Sequence, residues 1–360
     1  RWEVIKGNDQ FYSITKSIHN AIHGNEVNFF DEHIQSYQEA QEANRDIVDN
    51  RFDDSDTILI HDPQPLGLIQ FKSPNNNQNW VWRCHVDASN PYRPVWTFLA
   101  NYVNMYKEAI FSTEEFTQHL TIPQVIVPPS IDPLSDKNIN LSDDQIEKIL
   151  KDYDIPENKK IITQISRFDR LKDPIGVIKA FKLAKEHLDD VHLILAGGGA
   201  TDDPEGIEVF NEVNKEAEND PDISLLLLPQ DNLLINALQR KSDIIIQKSI
   251  KEGFGLTISE ALWKQKPVIA TNVGGIKTQI IHNMTGVLVH GVKGTAIQIQ
   301  KLVNNPTFAE TLGRNGKEYV RNKFLITRHL LDYLMLIAAQ HHNGSHRIGD
   351  RIYKYRYNNM

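Results

Sequence analysis

A single cysteine, Cys84, stands in a chain of 360 residues. That count excludes an internal disulfide and any cysteine-built zinc cluster, and it fits a reducing, cytoplasmic setting. No run approaches the roughly 20 uninterrupted apolar residues that a membrane-spanning helix needs, so no membrane partner is expected. No charged-then-apolar leader heads the stretch that begins at Arg1, which leaves a processed leader open. Basic residues are outnumbered: 39 Lys and Arg against 47 Asp and Glu give a formal net charge of -8. A general nucleic-acid surface is therefore not expected, because phosphate backbones demand clustered cations. One small phosphorylated ligand in a local basic pocket is compatible with that balance. The Gly-x-Ser-x-Gly nucleophile elbow, the Walker lysine loop and the His-Glu-x-x-His zinc helix are all missing. Gly197-Gly198-Gly199 lacks the dinucleotide spacing, which argues against a dehydrogenase.

What is present is enough apolar material, at 40% hydrophobic and 24% charged residues, to build real cores. At about 150 residues per domain the length predicts two. Short apolar runs alternate with helical periodicity, which implies βαβ units and a parallel sheet. In the first third, strands are expected at Arg1 to Ile5, Thr57 to Ile60, Trp80 to His85, Ala109 to Ser112 and Gln124 to Val127. Helices are expected at Gln10 to His23 and Val95 to Met105. The proline-dense stretch Pro128 to Pro133 and the acidic segment after it, up to residue 158, read as an interdomain connection plus a surface helix. The second half is more regular: strands at Lys160 to Ser166, Val191 to Ala196, Ile223 to Leu228, Asp243 to Gln247, Pro267 to Thr271 and Gly286 to Val289. Helices fall between them at Pro174 to Glu186, Asn232 to Arg240 and Leu256 to Lys264. Glycines at the carboxyl ends of strands give the doubly wound pattern, whose ligands bind at those ends. His329 to Ala339 reads as an amphipathic helix, His341-His342 as solvated, and Gly344 to Met360 as a polar tail.

Three constellations carry candidate chemistry. Glu252-Gly253-Phe254-Gly255-Leu256 leads from an apolar strand into a helix containing Glu260. The glycines let the backbone approach a ligand, and the helix start offers unpaired N–H groups to phosphate oxygens. Carboxylates at 252 and 260 suit sugar and ribose hydroxyls. The same spacing also fits an ordinary glycine turn with two solvated glutamates. The second constellation, Arg167, Arg170 and Lys172, puts three cations between a strand and a helix. A pyrophosphate would explain them, as would a solvated loop paired to Asp169 and Asp173. The third is His85 at a strand end, with His61-Asp62-Pro63-Gln64 at the equivalent end of another strand. Histidine donates to sugar hydroxyls or developing oxyanions, but beside tryptophans it is also a common structural residue. No residue set calls for a metal.

Together these residues resemble the retaining family-4 glycosyltransferases of the GT-B fold. Five stretches are similar to the trehalose synthases within it: His61 to Gln64, Trp80 to Tyr92, Pro128 to Pro133, Ile165 to Pro174 and Gln247 to Ile276. The resemblance implies two Rossmann-like doubly wound domains facing a central cleft. They would be an acceptor-side domain at 1–130 and a nucleotide-sugar domain at 131–328, with 329–360 returning to the first. It implies transfer of glucose from a nucleoside diphosphate-glucose (UDP-, ADP- or GDP-) to glucose, with no cofactor required and Mg2+ compatible but not called for. By the same resemblance Arg167 and Lys172 bind the pyrophosphate and Glu260 the ribose. Glu252 contacts the transferred sugar, and the N–H groups of Gly253, Phe254, Gly255 and Leu256 lie near sugar and phosphates. His85 reaches the donor sugar near its reacting carbon, and Asp62 and Gln64 serve the acceptor. Members of the family begin with a strand and a glycine-rich loop; here Arg1 to Ile5 looks like their second strand, so the first βα unit is expected to be missing. A trehalose phosphorylase, a synthase of another glucoside, and an impaired remnant that only binds nucleotide sugars are the alternatives. A homodimer is compatible with an acidic two-domain enzyme.

Overall fold

The computed structural model describes residues 1–52, 54–74, 77–198 and 204–341. Asn75, Asn76, Gly199, His342 and the Gly344 to Met360 tail lie outside the described residues. The chain divides into two compact units, one of residues 1–128 and 329–360, the other of residues 129–328.

The first unit contains α1 (Asp9–Ile22), α2 (Asp31–Ala43), α3 (Arg45–Arg51), β1 (Thr57–His61), β2 (Asn79–Arg83), α4 (Arg93–Val103), β3 (Glu108–Phe111) and β4 (Gln124–Ile126). Its strands pair in parallel in the order β1-β2-β3-β4. Alternation along each strand sorts side chains to two faces. Ile58, Ile60, Trp80 and Trp82 enter the larger core with the apolar sides of α1 and α4. Val81, Ile110 and Val125 face the other way, against Tyr333 and Leu336. Asn8 caps α1 by accepting from the Phe11 N–H at 2.9 Å, the usual helix start signal.

Arg1 to Ile5 is not a strand, contrary to the sequence expectation. It forms no ladder, and Trp2 and Val4 are 77% and 70% exposed. Strand propensity without a hydrogen-bonded neighbour does not fix extended structure. Two bonds hold the segment's end instead: Lys6 N–H donates to Asn44 Oδ1, and Asn44 Nδ2 donates to Lys6 O, both at 2.8 Å. The β2 strand also stops at Arg83, two residues short of His85.

The second unit contains α5 (Asp143–Leu150), β5 (Lys160–Ile165), α6 (Pro174–Lys185), β6 (Val191–Gly198), α7 (Pro204–Ala217), β7 (Ile223–Leu228), α8 (Asn232–Lys241), β8 (Ile244–Gln247), α9 (Leu256–Trp263), β9 (Val268–Thr271), α10 (Ile276–Gln279), β10 (Val287–Val289), α11 (Gly291–Asn304) and α12 (Pro306–Lys323). The final helix, α13 (Ile326–His341), follows. The sheet is parallel, ordered β10-β9-β8-β5-β6-β7. Residues of α6, α7 and α11 cover one face of it; residues of α5 and α8, and of α9, cover the other. Burial on both faces explains why these strands read as unbroken apolar runs.

The stretch after Pro128 is not a free connection. Ile131 N–H donates to Phe324 O at 2.8 Å and Ile326 N–H donates to Ile131 O at 3.0 Å, which seats Ile131 in the core of the second unit. Arg240 and Asn236 of α8 then donate to the carbonyls of Asp136, Asn138 and Ile139. The acidic helix α5 buries Ile146 and Leu150 against α8.

In the first unit Trp82 is fully buried, edge-on to Phe111 at 5.9 Å, with its Nε1 donating to Asp62 O at 3.0 Å. Trp82→Ala should cost about 3–5 kcal/mol, measured by urea denaturation. A loss below the scatter of ordinary surface substitutions would refute this placement.

Candidate active site

Strand order reverses between β5 and β8: the chain leaves β5 toward β6 on one side and leaves β8 toward β9 on the other. Loops from neighbouring strand ends then diverge and open a crevice, the usual ligand site of such sheets. The β5 loop carries Arg167 to Lys172, and the β8 loop carries Lys248 to Gly255. Eighty residues apart in sequence, Lys172 Nζ and Glu252 Oε2 meet at 2.6 Å. The same oxygen accepts from Ser249 Oγ at 2.9 Å and Gln247 Nε2 at 3.1 Å. An ammonium has three N–H donors, so Lys172 can hold Glu252 and still turn N–H groups toward an anion.

The three cations of the β5 loop separate into different roles. Arg167 is exposed and donates to Asp169 at 3.1 Å, leaving most of its guanidinium donors for a ligand. Arg170 is engaged by α7, bidentately to Glu212 at 2.7 and 2.9 Å and to Glu208 at 2.9 Å. Its guanidinium pKa is raised, chiefly by the hydrogen bond to Glu212. Lys248, from the β8 loop, is paired to Asp173, the αL residue (φ 47°) that caps α6. It borders a smaller pocket of about 260 Å³ with Ser249, Thr271 and Asn272.

The glycine turn is held from behind. Gly255 has φ +85°, and no side chain caps the start of α9. Gln279 Nε2 donates to Phe254 O at 2.5 Å and Gly255 O at 3.3 Å, while Ser259 Oγ donates to Gln279 Oε1 at 2.5 Å. Gly275 N–H donates to Glu252 O at 3.1 Å, and a Cβ at Gly275 would strike the Gly253 carbonyl and the Phe254 backbone. Ile258 N–H donates to Gly255 O at 3.0 Å, so the N–H groups that this helix start can offer an anion are those ahead of it, at Leu256 and Thr257. The Phe254 ring turns into the apolar core against Phe324, so of this residue only the backbone is placed for a ligand. The Leu256 side chain is exposed.

Glu252 and Glu260 are 8% and 5% exposed, which removes the reading as two solvated glutamates. Glu260 has its own partners: Gln239 Nε2 at 3.4 Å and Lys137 Nζ at 3.6 Å. Beneath it Lys264 donates to Glu260 O at 3.2 Å and Asn138 Oδ1 at 3.1 Å. Burial pushes the Lys264 amine down to about 7, against the pull of Glu260 and with help from Arg240 and Lys137.

The first unit gathers a second cluster at the ends of β1 and β2, where His61 registers with Arg83. Asp62 takes φ 65°; its N–H donates to Arg83 O at 2.8 Å, and its Oδ1 accepts the His85 N–H at 2.9 Å. Burial raises the pKa of the Asp62 carboxyl, opposed by the His85 amide and Arg83. His61 Nδ1 and His85 Nε2 are 2.9 Å apart. Gln64 does not join that contact: it lines, with His61, Asp62 and Trp2, a groove of about 470 Å³ beside β1.

Sequence reasoning assigned no role to His61 and did not single out Gln247, Ser249, Gln279, Gly275 or Lys137. A polar residue ending the buried run Ile244-Ile245-Ile246-Gln247 was the available signal for Gln247; Gln279 and Lys137 gave none. Among the described residues no three His, Cys, Asp or Glu side chains form a metal cluster, and no helix is long and apolar enough to cross a membrane.

Comparison with known proteins gives the family and the fold. The family described as trehalose synthase, N-terminal domain, matches residues 1–118, and glycosyl transferases group 1 matches residues 145–319. A trehalose synthase of Thermococcus litoralis is 42% identical over 344 residues, 94% of this chain and 82% of that one. One of Rubrobacter xylanophilus is 38% identical over 342 residues, with the same coverage of 94% and 82%. A trehalose phosphorylase of Pleurotus pulmonarius is 28% identical over 65% of this chain and 37% of its own length. Among solved structures, the Escherichia coli trehalose-6-phosphate protein bound with UDP-2-fluoro glucose superposes with a TM-score of 0.76 at 14% identity, covering 93% and 86% of the two chains. A sucrose-phosphate synthase of Thermosynechococcus elongatus gives 0.71 at 16% identity, covering 94% of each. The fold is that of the GT-B glycosyltransferases.

Lys264 yields a pH prediction. Its folded pKa, near 7, lies below the unfolded lysine value, so above pH 7 the unfolded chain binds more protons and stability rises with pH up to the ordinary lysine range. Lys264→Met should flatten that slope. Urea denaturation of both proteins at pH values on either side of 7 and toward the lysine range measures it, and parallel stability curves would contradict the assignment.

Proposed function

Because the chain belongs to the trehalose synthase family of the group 1 glycosyltransferases, we propose that it moves glucose from a nucleoside diphosphate-glucose to glucose, retaining the anomeric configuration and making trehalose. The observation that carries the reading is the meeting of Lys172 with Glu252 at the β5/β8 crevice, with exposed Arg167 on the same β5 loop as Lys172. A cation pair suits a diphosphate, and a fixed carboxylate suits sugar hydroxyls. Arg167, Lys172 and the N–H groups of residues 253–256 are assigned to the diphosphate, Glu252 to the transferred glucose and Glu260 to the ribose. His85 is assigned to a sugar hydroxyl near the reacting carbon, with Asp62 and Gln64 on the acceptor.

Cleavage of the bond from anomeric carbon to phosphate leaves negative charge on the departing oxygens and positive charge on the sugar. Arg167 and Lys172 act on the first where it forms, so their interaction is stronger in the transition state than before it. The departing phosphate oxygen takes the acceptor proton on the same face. Glu252, already bound by three donors, is then a binding group rather than a nucleophile.

The second reading, favoured by likeness to the Pleurotus phosphorylase, replaces the nucleoside diphosphate with inorganic phosphate. Incubating the protein with several nucleoside diphosphate-glucoses plus glucose, and separately with trehalose plus phosphate, decides between them. Formation of a non-reducing disaccharide only in the first arm supports the proposal; turnover only in the second overturns it. Arg167→Ala should lower kcat by on the order of 10²-fold with a smaller change in KM for glucose. Unchanged kcat would remove Arg167 from the transition state.

A further inference from the structure

The ring planes of His61 and His85 lie within 11°, with centroids 5.2 Å apart and Nδ1 to Nε2 at 2.9 Å. Near-coplanar rings whose closest atoms are the two nitrogens describe an in-plane N–H···N hydrogen bond rather than a face-on stack. The backbone prepares it. His61 ends β1, Asp62 turns the chain in the αL region, and Asp62 Oδ1 accepts the His85 amide. One residue thus sets the backbone on both sides of the imidazole contact.

We propose that His61 is a positioning residue for His85: by occupying Nε2 it fixes the ring, ties the His85 tautomer to its own and leaves Nδ1 as the nitrogen that His85 presents to a sugar hydroxyl. This rests on the reading of His85 as a sugar-binding group. One proton lies between the rings, so the state of one outer nitrogen dictates the other. Whichever ring donates, His85 meets a ligand only through Nδ1. The pair is also kept uncharged. Desolvation comes first, followed for His85 by Arg83, His61 and His329 and for His61 by Arg83 and His329, and all act downward on the imidazole pKa values. Asp62 Oδ1 accepts the His85 amide, and Glu3 lines the groove that His61 borders.

Long-range proton–nitrogen spectra of nitrogen-15-labelled protein read each imidazole's tautomer without any substrate. Between about pH 5 and 8, His85 should not titrate, and its neutral tautomer should match that of His61. In His61→Ala it should exchange between tautomers and titrate nearer the ordinary value. On the proposed reaction, His61→Ala should lower kcat by on the order of tenfold to a hundredfold with little change in KM and introduce an acid limb. His61→Asn, whose amide occupies the Nδ1 position, should restore most of the rate. His61 and His85 tautomers that do not match in the unmodified protein, or a pH profile unaltered in His61→Ala, would overturn the proposal. If the unmodified protein transfers no glucose, the functional reading falls while the spectra still decide the pairing. Should His61→Ala fail to fold, the tautomers of the two rings in the unmodified protein still decide the pairing.

Discussion

An ion pair between two loops that share nothing in sequence organises the second unit. Lys172 and Glu252 leave water together, and each is tolerable there because the other is present. Ser249 and Gln247 complete the coordination of the same carboxylate oxygen. The pair therefore sets the separation of the β5 and β8 loops before any ligand arrives, with the cation side of one loop placed against the glycine turn of the other. Gln279 and Gly275 do for the turn's carbonyls what Lys172 does for its carboxylate. A site assembled this way spends little of its binding energy on ordering itself.

The architecture was legible where hydrophobic runs were long and punctuated. The strands of the second unit are apolar stretches ended by glycine or a polar residue, and their positions follow from that pattern. The strand order does not. Nothing in the amino-acid string says that the fourth strand lies against the first, and only that adjacency turns Lys172 and Glu252 into neighbours. Arg167 and Arg170 show the same limit at finer scale: two arginines three positions apart look equivalent until α7 brings Glu208 and Glu212 to one of them. The Arg1 to Ile5 segment fails for the opposite reason. Its residues suit a strand, but a strand is a property of a pair, and none of the described strands pairs with it.

Residues whose role is to hold other residues were the hardest to read. Lys137 lies in a segment whose prolines signal only a loop, yet Ile131 anchors that loop to Phe324 and α8 clamps its carbonyls, delivering Lys137 to Glu260. Gln279 is one glutamine in a four-residue helix. Its value is entirely geometric: a buried amide that satisfies two carbonyls and a hydroxyl. Buried polar groups of this kind are costly unless fully partnered, so where they occur they fix the local conformation strongly.

The two units use opposite electrostatics, and the proposed chemistry gives a reason. Around the β5/β8 crevice the structure keeps cations with N–H groups to spare, which suits a leaving group that gains negative charge. At the ends of β1 and β2 it pairs two imidazoles and holds both below their ordinary pKa. A sugar losing its leaving group gains positive charge at the anomeric carbon, and an imidazolium beside it would oppose that gain. A neutral imidazole still orients a hydroxyl without that penalty. Arg83 supplies part of the field that keeps the pair neutral, while its own guanidinium is buried and donates to Phe111 O at 3.1 Å and Ser112 Oγ at 3.3 Å. The positive charge thus tunes the histidines while two of its N–H groups bind at the end of β3.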